Sequence, residues 1–488
     1  MTQGVIARVL AAGLIATTLA SPALAGSMMP AGKSPEAGLA GIWRVIEAKP
    51  APWAKPRRLS KRDAPLLAYA IEFAANEVKG PAPLACPGAT YSSGVTYRSE
   101  AFGGKLAHDK DGALAKTLDL ESSQFTTFRV TCGAVTRDFY VDDYANLVML
   151  EGDVVYTLER PTGMDPAQYA AGYSGPSFDC TQAKTTGEKL ICRDAALSAS
   201  DRKLGEAYAA LEKSVSPDSF ATFRAGQRAW LAYASKSCGA DVPSPASIAD
   251  RNNITDCLRT EYADRAELLG DLRVATAGAL TLEPRMRFRT RAKPPTEESD
   301  VYPRLRGGAA ATAFNAFVGK ALALGKWRMD DRRLFWLDAV GDMRLTARRT
   351  YTVVRFDSRI VSLQVATRDF TGGNHDILGL QAVTWDLVKG RAVTLDDVFA
   401  KDKDWKTFVL GVCRDDLHQQ MSERDAPNLD DAEIAAAIAA SSQWLWGPEH
   451  ATVVVPIDTI GGLPGGEFDV DIPLKDLAPY LKADAPVR

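Results

Sequence analysis

The placement of the cysteines constrains this chain more than any other feature of its sequence. There are seven cysteines in 488 residues, and no two have the two-residue spacing of a redox or zinc-binding pair. Six fall into three pairs that are close in sequence, which predicts three local disulfide bonds. The expected pairs are Cys86–Cys132, Cys180–Cys192 and Cys238–Cys257. We expect Cys413 to be a buried free thiol, although spacing alone does not fix the connectivity.

The first 25 residues have the layout of a cleavable signal peptide. Arg8 precedes the apolar run 9–20, and Ala23 and Ala25 form a small-x-small cleavage site before Gly26. The apolar run is too short to cross a bilayer as a helix. We therefore expect export to the bacterial periplasm, where disulfide bonds form and persist, and a mature chain that does not span the membrane.

Charge and length limit the class of protein further. The 58 basic and 61 acidic residues nearly cancel, which argues against a nucleic-acid partner, because such proteins normally carry a basic surface. A chain of this length should hold about three domains. We predict a multidomain α+β protein.

The first predicted domain, 36–165, is rich in short segments of β-forming residues separated by turn signals. This pattern predicts a small antiparallel β-barrel. The opening Gly41-Ile42-Trp43 resembles lipocalin-type barrels. Two interiors remain open: one filled by side chains, and one that holds a small apolar ligand.

The second predicted domain, 176–274, is helical. Leu197, Leu204 and Leu211 recur on one face of a helix, and two further helices follow. A three-helix core of this size is small, so two disulfide bonds would add needed stability.

Motifs in this region resemble the lysozyme inhibitor LprI family. In order along the chain they are Phe178-Asp179-Cys180, Glu188–Cys192, Gln227–Trp230, Cys238, Cys257-Leu258, Tyr262 and Arg265. The resemblance implies a protein of the cell envelope that binds and blocks lysozyme.

One segment of this region has the chemistry that a lysozyme blocker needs. Lysozyme works with two carboxyl groups in a long cleft, and hydroxyl or lysine donors on a loop could meet them. The residues Thr185, Thr186, Glu188 and Lys189 lie in such a loop, which a Cys180–Cys192 bond would hold with reduced entropy. The alternatives are a solvated connecting loop, or an acidic surface that covers the cleft of a basic lysozyme.

The third predicted domain, 280–488, has an α/β pattern with a mostly antiparallel sheet. The arginines of 285–291 are expected on a solvated strand edge, Asn428 is expected to cap a helix over 429–440, and strands at 453–457 and 468–472 are expected to close the sheet.

This third region resembles the C-terminal domain of the lysozyme-sensing anti-sigma factor RsiV. The resemblance rests on Gly372–His375, Trp385–Leu387, Leu395–Phe399 and Gly466–Val470. It implies a second domain of a type that binds lysozyme outside the cell.

Patterns that would indicate an enzyme are weak. The four histidines do not form a helical metal pair, and Ser200–Lys203 matches a penicillin-recognising motif without its partner motifs. Asp396-Asp397 and Asp430-Asp431 suit helix N-termini better than acid–base chemistry. We therefore predict no catalytic residues, no metal site and no cofactor.

Together these features predict a secreted periplasmic binding protein that inhibits or binds lysozyme. The alternative is a protein that binds peptidoglycan or another cell-envelope glycan, or serves as a scaffold, without enzymatic activity.

Overall fold

The computed structural model describes residues 28–161, 175–242, 248–291, 295–322, 324, 344–372, 376–423, 429–455 and 468–488. The predicted signal peptide lies outside these residues. The chain forms two compact units: the first ends at Gly175 and also contains Asp179–Gln182, and the second contains Pro176–Phe178 and Ala183–Arg488.

A nine-stranded antiparallel sheet forms the first unit within residues 28–161. Its strands are β1 Gly41–Pro50, β2 Ala70–Ala74, β3 Glu77–Lys79, β4 Cys86–Pro87, β5 Thr90–Tyr97, β6 Gln124–Cys132, β7 Val135–Val141, β8 Leu147–Glu151 and β9 Val154–Glu159. Two short helices, α1 Ala101–Gly104 and α2 Ala113–Lys116, lie between β5 and β6. The prediction of a β-rich antiparallel first region is confirmed.

The sheet is curled but open. Its order is β4-β3-β2-β1-β9-β8-β7-β6-β5, so that β4 and β5 are its two edges. Cys86 in β4 is disulfide-bonded to Cys132 in β6, with their Cα atoms 5.9 Å apart. One edge therefore curves back to the strand beside the other edge, which makes a half-barrel. The resemblance to closed lipocalin barrels is not confirmed.

Large aromatic side chains fill one face of this sheet. Trp43, Phe73, Phe139 and Tyr156 are almost fully buried in one core cluster. The rings of Phe73 and Phe139 meet edge to face at 5.1 Å, and Trp43 Nε1 donates to the Leu39 carbonyl at 2.8 Å. This packing agrees with the filled interior, one of the two alternatives.

The second unit begins with four helices. They are α3 Thr186–Arg193, α4 Ala195–Ser214, α5 Pro217–Ser237 and α6 Ile248–Gly270. The predicted helical character is confirmed, but α3 adds a helix where the sequence predicted a loop. The cause is local, because Thr185 and Glu188 cap the first turn of α3.

A seven-stranded sheet follows in the same unit. Its strands are β10 Ala275–Ala277, β11 Leu280–Arg291, β12 Thr296–Arg306, β13 Leu345–Phe356, β14 Ile360–Phe370, β15 Ile377–Asp386 and β16 Arg391–Ala392. They lie in chain order, and only β12 and β13 pair in parallel. Helix α7 (Ala310–Ala321) follows β12. The mostly antiparallel sheet was predicted correctly.

The central helices and this sheet share a core. Trp230 and Tyr262 pack in one buried cluster with Met286 and Val301. A Cβ at position 226 would lie 2.9 Å from Met286 Sδ, so any residue larger than glycine there would force the buried Met286 side chain to shift. The boundary predicted between 274 and 280 therefore separates two sequence regions that pack within one compact unit.

The chain ends in a small antiparallel sheet with its own helices. The strands are β17 Trp444–Trp446, β18 His450–Val455 and β19 Phe468–Pro473, and the helices are α8 Leu395–Val398, α9 Trp405–Glu423, α10 Asp431–Ala439 and α11 Leu474–Leu477. The expectation that the last two strands close the main sheet was wrong. They pair instead with each other and with β17, whose Trp444 and Trp446 are buried.

Two local expectations in this part have clear outcomes. Helix α10 is capped by Asp430, whose carboxylate accepts from Glu433 N at 2.8 Å; the expected cap, Asn428, lies outside the described residues. Cys413 is a buried free cysteine, as predicted. Burial raises the pKa of its thiol to about 12, so it stays protonated and unreactive at neutral pH.

Candidate binding site

The segment predicted to contact a partner forms the first turn of α3, so its description as a loop was wrong. Thr185 Oγ1 accepts from Glu188 N at 3.2 Å, and Glu188 Oε2 accepts from the backbone N–H of Thr185 at 2.9 Å and of Lys184 at 2.7 Å. Burial acts to raise the pKa of Glu188, but these backbone donors outweigh it, so the pKa is lowered. The Glu188 carboxylate is therefore engaged in capping the helix.

The other two residues of the segment differ in exposure. Thr186 is buried, and its hydroxyl donates to the Val242 carbonyl at 2.6 Å. Lys189 and Thr185 are exposed. A partner that approached this turn would therefore meet the Lys189 ammonium and the Thr185 side chain, while Thr186 faces the protein interior.

Disulfide bonds hold the helical region around this turn. Cys238, at the end of α5, is bonded to Cys257 in α6, with Cα atoms 5.5 Å apart. Cys180 and Cys192 are also disulfide-bonded. Each bond reduces the freedom of the unfolded chain and so favours the folded arrangement of these short helices.

A buried arginine joins two helices at the Gln227–Trp230 motif noted in the sequence. Arg265 Nε donates to Gln227 Oε1 at 3.0 Å, and its guanidinium lies 5.3 Å from the ring centre of Trp230. Burial lowers the pKa of Arg265 to about 10, so the group remains charged at neutral pH. The motif residues therefore form an internal contact between α5 and α6.

A cleft of about 420 Å³ lies beside this contact, between α6 and the sheet. Strand register sets one wall: Ser299, Arg348, Arg368 and Leu378 pair in turn across β12, β13, β14 and β15, so they share one face. The other wall is one face of α6 with several carboxylates. Its lining residues include Glu261, Asp264, Glu267, Leu268 and Asp271.

Arg344 bonds to residues of both α6 and β12. It donates to Glu261 Oε1 and to Glu297 Oε2, both at 2.6 Å, and to Tyr233 Oη at 2.8 Å. Burial acts to lower the pKa of Arg344, but the hydrogen bond to Glu261 and the Coulomb interactions with Glu261, Tyr233 and Glu297 together outweigh burial, so the pKa is raised. One guanidinium thus serves two buried carboxylates and fixes α6 to β12.

Two of the four arginines expected on a solvated strand edge are instead partners of buried acids. Arg287 and Arg289 are half-buried on β11 and form ion pairs with Glu298, and Arg287 also pairs with Asp300. The side chains of both acids are fully buried. The correction follows from the register, because β12 pairs with β11 along its whole length.

Two carboxylates considered for acid–base chemistry, Asp397 and Asp430, cap helices. Asp397 and Thr394 form a capping box at α8, and Asp397 also binds Arg391. His375 lies outside the described residues. Among the described parts of the chain there is no group of three or more histidine, cysteine, aspartate or glutamate side chains arranged to hold a metal ion.

The cleft was not predicted from the sequence, where Trp230 and Arg265 were named for their motif and not for a cleft. Glu261, Asp264 and Asp271 recur at intervals of three and seven residues, a spacing that could have indicated a helix face rich in carboxylates. Nothing in the sequence places that face against strands that begin some distance further along the chain.

The sequence region of the helices matches a known family. Residues 179–269 match the family model described as lysozyme inhibitor LprI, which confirms the predicted LprI-like region over those residues. A search of curated proteins found no match.

Two solved structures of the DUF3298 family are also similar. One, from Bacteroides fragilis, is 15% identical, covers 44% of this chain and 98% of its own, and has a TM-score of 0.32. The other, from Pseudomonas aeruginosa, is 12% identical, covers 42% of this chain and 95% of its own, and has a TM-score of 0.31. The resemblance of 280–488 to the RsiV-type domain stays a prediction.

Proposed function

We propose that this protein is an extracytoplasmic lysozyme-binding protein that inhibits lysozyme. The observation that carries the proposal is the match of residues 179–269 to the lysozyme inhibitor LprI family. The motif residues on which the resemblance rests are in place in the fold, since Cys238 and Cys257 are bonded and Gln227 holds Arg265. The family is one of inhibitors, which supports a binding role rather than an enzymatic one.

The cysteines support a location outside the cytoplasm. Six of the seven are disulfide-bonded, and such bonds are rare in cytosolic proteins because the cytosol keeps thiols reduced. None of the helices in the described residues combines the length and the hydrophobicity of a membrane span. The proposed compartment is the periplasm, reached through the predicted signal peptide.

The proposed contact with lysozyme is the first turn of α3. Its Thr185–Glu188 capping box fixes the backbone before any partner arrives, so little conformational entropy is lost on binding. Exposed Lys189 can then donate to one of the catalytic carboxylates of lysozyme, a charge-assisted hydrogen bond that strengthens where water is excluded.

Replacing Lys189 tests this contact. In an assay of lysozyme lytic activity, the mature wild-type protein should inhibit, and Lys189→Ala should raise the inhibition constant about tenfold, since a hydrogen bond between charged groups contributes about 1.5 kcal/mol. Lys203→Ala is the matched control, because Lys203 is also exposed and lies in the next helix.

The outcomes separate the contact from the function. If the wild type, Lys189→Ala and Lys203→Ala inhibit lysozyme equally, the contact does not lie at Lys189 of α3, but the proposed inhibitory function is still supported. No inhibition and no lysozyme binding by the wild type would reject the function. Co-sedimentation with purified peptidoglycan tests the other predicted partner separately.

A further inference from the structure

Strand β15 has one open side over half of its length. On one side β14 pairs with it along the whole of Ile377–Asp386. On the other side β16 pairs only with Trp385 and Asp386, at the far end of the strand. The segment 377–381, which we call the open edge, therefore has no neighbouring strand on that side among the described residues.

The backbone of the open edge presents hydrogen-bonding groups to this side. Thr384 O accepts from Val393 N of the following segment, so Thr384 directs its backbone groups away from β14. These directions alternate along a strand, and the unbroken register of β14 with β15 keeps the alternation in phase. Leu378 and Leu380 therefore direct their N–H and C=O groups outward, where no described residue bonds to them.

The other sheet edges in the described residues are short, covered or charged. Strands β4, β10, β16 and β17 have two or three residues each. Backbone bridges from Met28 and Gly32 cover β5, and β19 alternates buried residues with exposed Asp469 and Asp471. Proteins use such features to keep strand edges from pairing with other chains.

The open edge has none of these features. Its sequence is Ile-Leu-Gly-Leu-Gln, without a charge or a proline. Ile377 is 46% exposed and Leu378 is 39% exposed, and because they are consecutive in a strand they lie on opposite faces of the sheet. An added strand would therefore cover apolar surface on both faces and satisfy the outward backbone groups.

We propose that the open edge pairs in antiparallel orientation with the open edge of a second copy of this chain. The inference goes beyond lysozyme inhibition and does not depend on it. With the two-fold axis at Gly379, Leu378 of each copy lies opposite Leu380 of the other, and Ile377 lies opposite Gln381. The outward groups of the leucines form the hydrogen bonds, and their side chains form apolar cross-strand pairs.

The chemistry of the edge favours a second copy over a charged peptide. A two-fold contact uses the same surface on both copies, so one self-complementary edge is enough. Arg368, which lies opposite Leu378 in β14, forms an ion pair with Asp376, so the edge offers no unbalanced charge to attract a peptide. Because the paired segments are short, we expect a weak dimer with a dissociation constant of roughly 10–100 µM.

Sedimentation equilibrium on the full mature protein, from about 1 to 500 µM, tests the association. The wild type should show a monomer–dimer equilibrium. Leu378→Lys should raise the dissociation constant at least about tenfold, because each dimer would have to desolvate two ammonium groups beside apolar side chains. Val388→Lys is the matched control: Val388 is 75% exposed in the turn after β15, outside the open edge, and this variant should dimerise as the wild type does.

Hydrogen exchange with mass spectrometry locates the contact. Amide exchange in 377–381 should slow as the wild-type concentration rises through the dissociation constant, because the outward N–H groups become bonded. Thermal melts check the fold of each variant. If Leu378→Lys unfolds, Ile377→Lys carries the test, since it places a charge on the other exposed face of the same edge.

Three outcomes would overturn the proposal. One is a wild type that stays monomeric over the whole concentration range. Another is a dimer that forms equally well in the folded lysine variant, or without slower exchange in 377–381, which places the contact elsewhere. The third is a monomeric wild type that binds a synthetic peptide with the sequence of 376–382, which assigns the edge to an extended strand of another protein.

Discussion

At the scale of single residues, buried carboxylates show how helices of the second unit are fixed to its sheet. Glu283 is 1% exposed and accepts from Ser216 N at 2.8 Å, Ser216 Oγ at 2.7 Å and Ser219 Oγ at 2.8 Å. It therefore fixes the N-terminus of α5 to β11. Burial acts to raise its pKa, but the bonds from Ser216 and Ser219 outweigh burial, so the pKa is lowered.

Glu283→Gln should lower the free energy of unfolding by about 2 kcal/mol at pH 7, because hydrogen bonds to a charged acceptor are lost. A lowered native pKa means that the stabilisation is present above the unfolded pKa of about 4.3 and is lost as pH falls through the native value. Urea denaturation from pH 7 to pH 2 measures this.

The control for Glu283 is Glu212→Gln, an exposed change on α4, which should alter stability little at any pH. The stability difference between the wild type and Glu283→Gln should shrink in the acid range. A difference that stayed constant down to pH 2 would contradict the assigned role of the carboxylate.

At the scale of elements, capping boxes decide where several helices begin. Thr185 with Glu188, Thr394 with Asp397, and Asp430 with Glu433 each form reciprocal side-chain and backbone bonds. All three are sequence patterns in which a short polar residue precedes an acid by three positions. The first was overlooked in the sequence reasoning, which is why α3 was taken for a loop.

Asp430→Ala should destabilise the second unit by about 1 kcal/mol, because the first turn of α10 loses its cap. Asp431→Ala is the matched control and should cost less, since Asp431 has only an exposed ion pair at 3.5 Å with Arg414 and the helix dipole to lose. Urea denaturation followed by tryptophan fluorescence compares them. Equal losses would contradict the capping role of Asp430.

At the scale of the whole molecule, each of the two units contains a disulfide bond of its own. Cys86 and Cys132 close a loop within the first unit, with a separation of 46 residues, and Cys238 and Cys257 close one in the second, with a separation of 19. Because each bond constrains only the unfolded chain of its own unit, losing one should leave the stability of the other unit unchanged.

Replacing both members of a pair by serine tests this independence. The loss should be about 4 kcal/mol for Cys86 with Cys132 and about 3 kcal/mol for Cys238 with Cys257, from the entropy of loops of these lengths. Hydrogen exchange with mass spectrometry assigns the loss to a unit, and each double variant is the control for the other. Faster exchange in both units after either replacement would contradict independence.

Features with local causes were predicted from the sequence. The turn between β13 and β14 also has a local cause, because the Asp357 carboxylate accepts from Arg359 N and Ile360 N. The long helices, the LprI-like region and two cysteine pairs at short separation belong to the same group. In each case the interacting residues are close together in the sequence, so their spacing is enough to predict the structure they form.

Only the tertiary structure decided the features that join distant residues. Strand pairing decides three of these features: the acids that pair with Arg287 and Arg289, the separate sheet of β17–β19, and the open edges of the half-barrel. The cleft depends in addition on how α6 packs against the sheet. Glu261 and Arg368 line one cleft although more than a hundred residues separate them in the chain. A sequence pattern reports which face of an element is apolar, but it does not report which other element that face will meet.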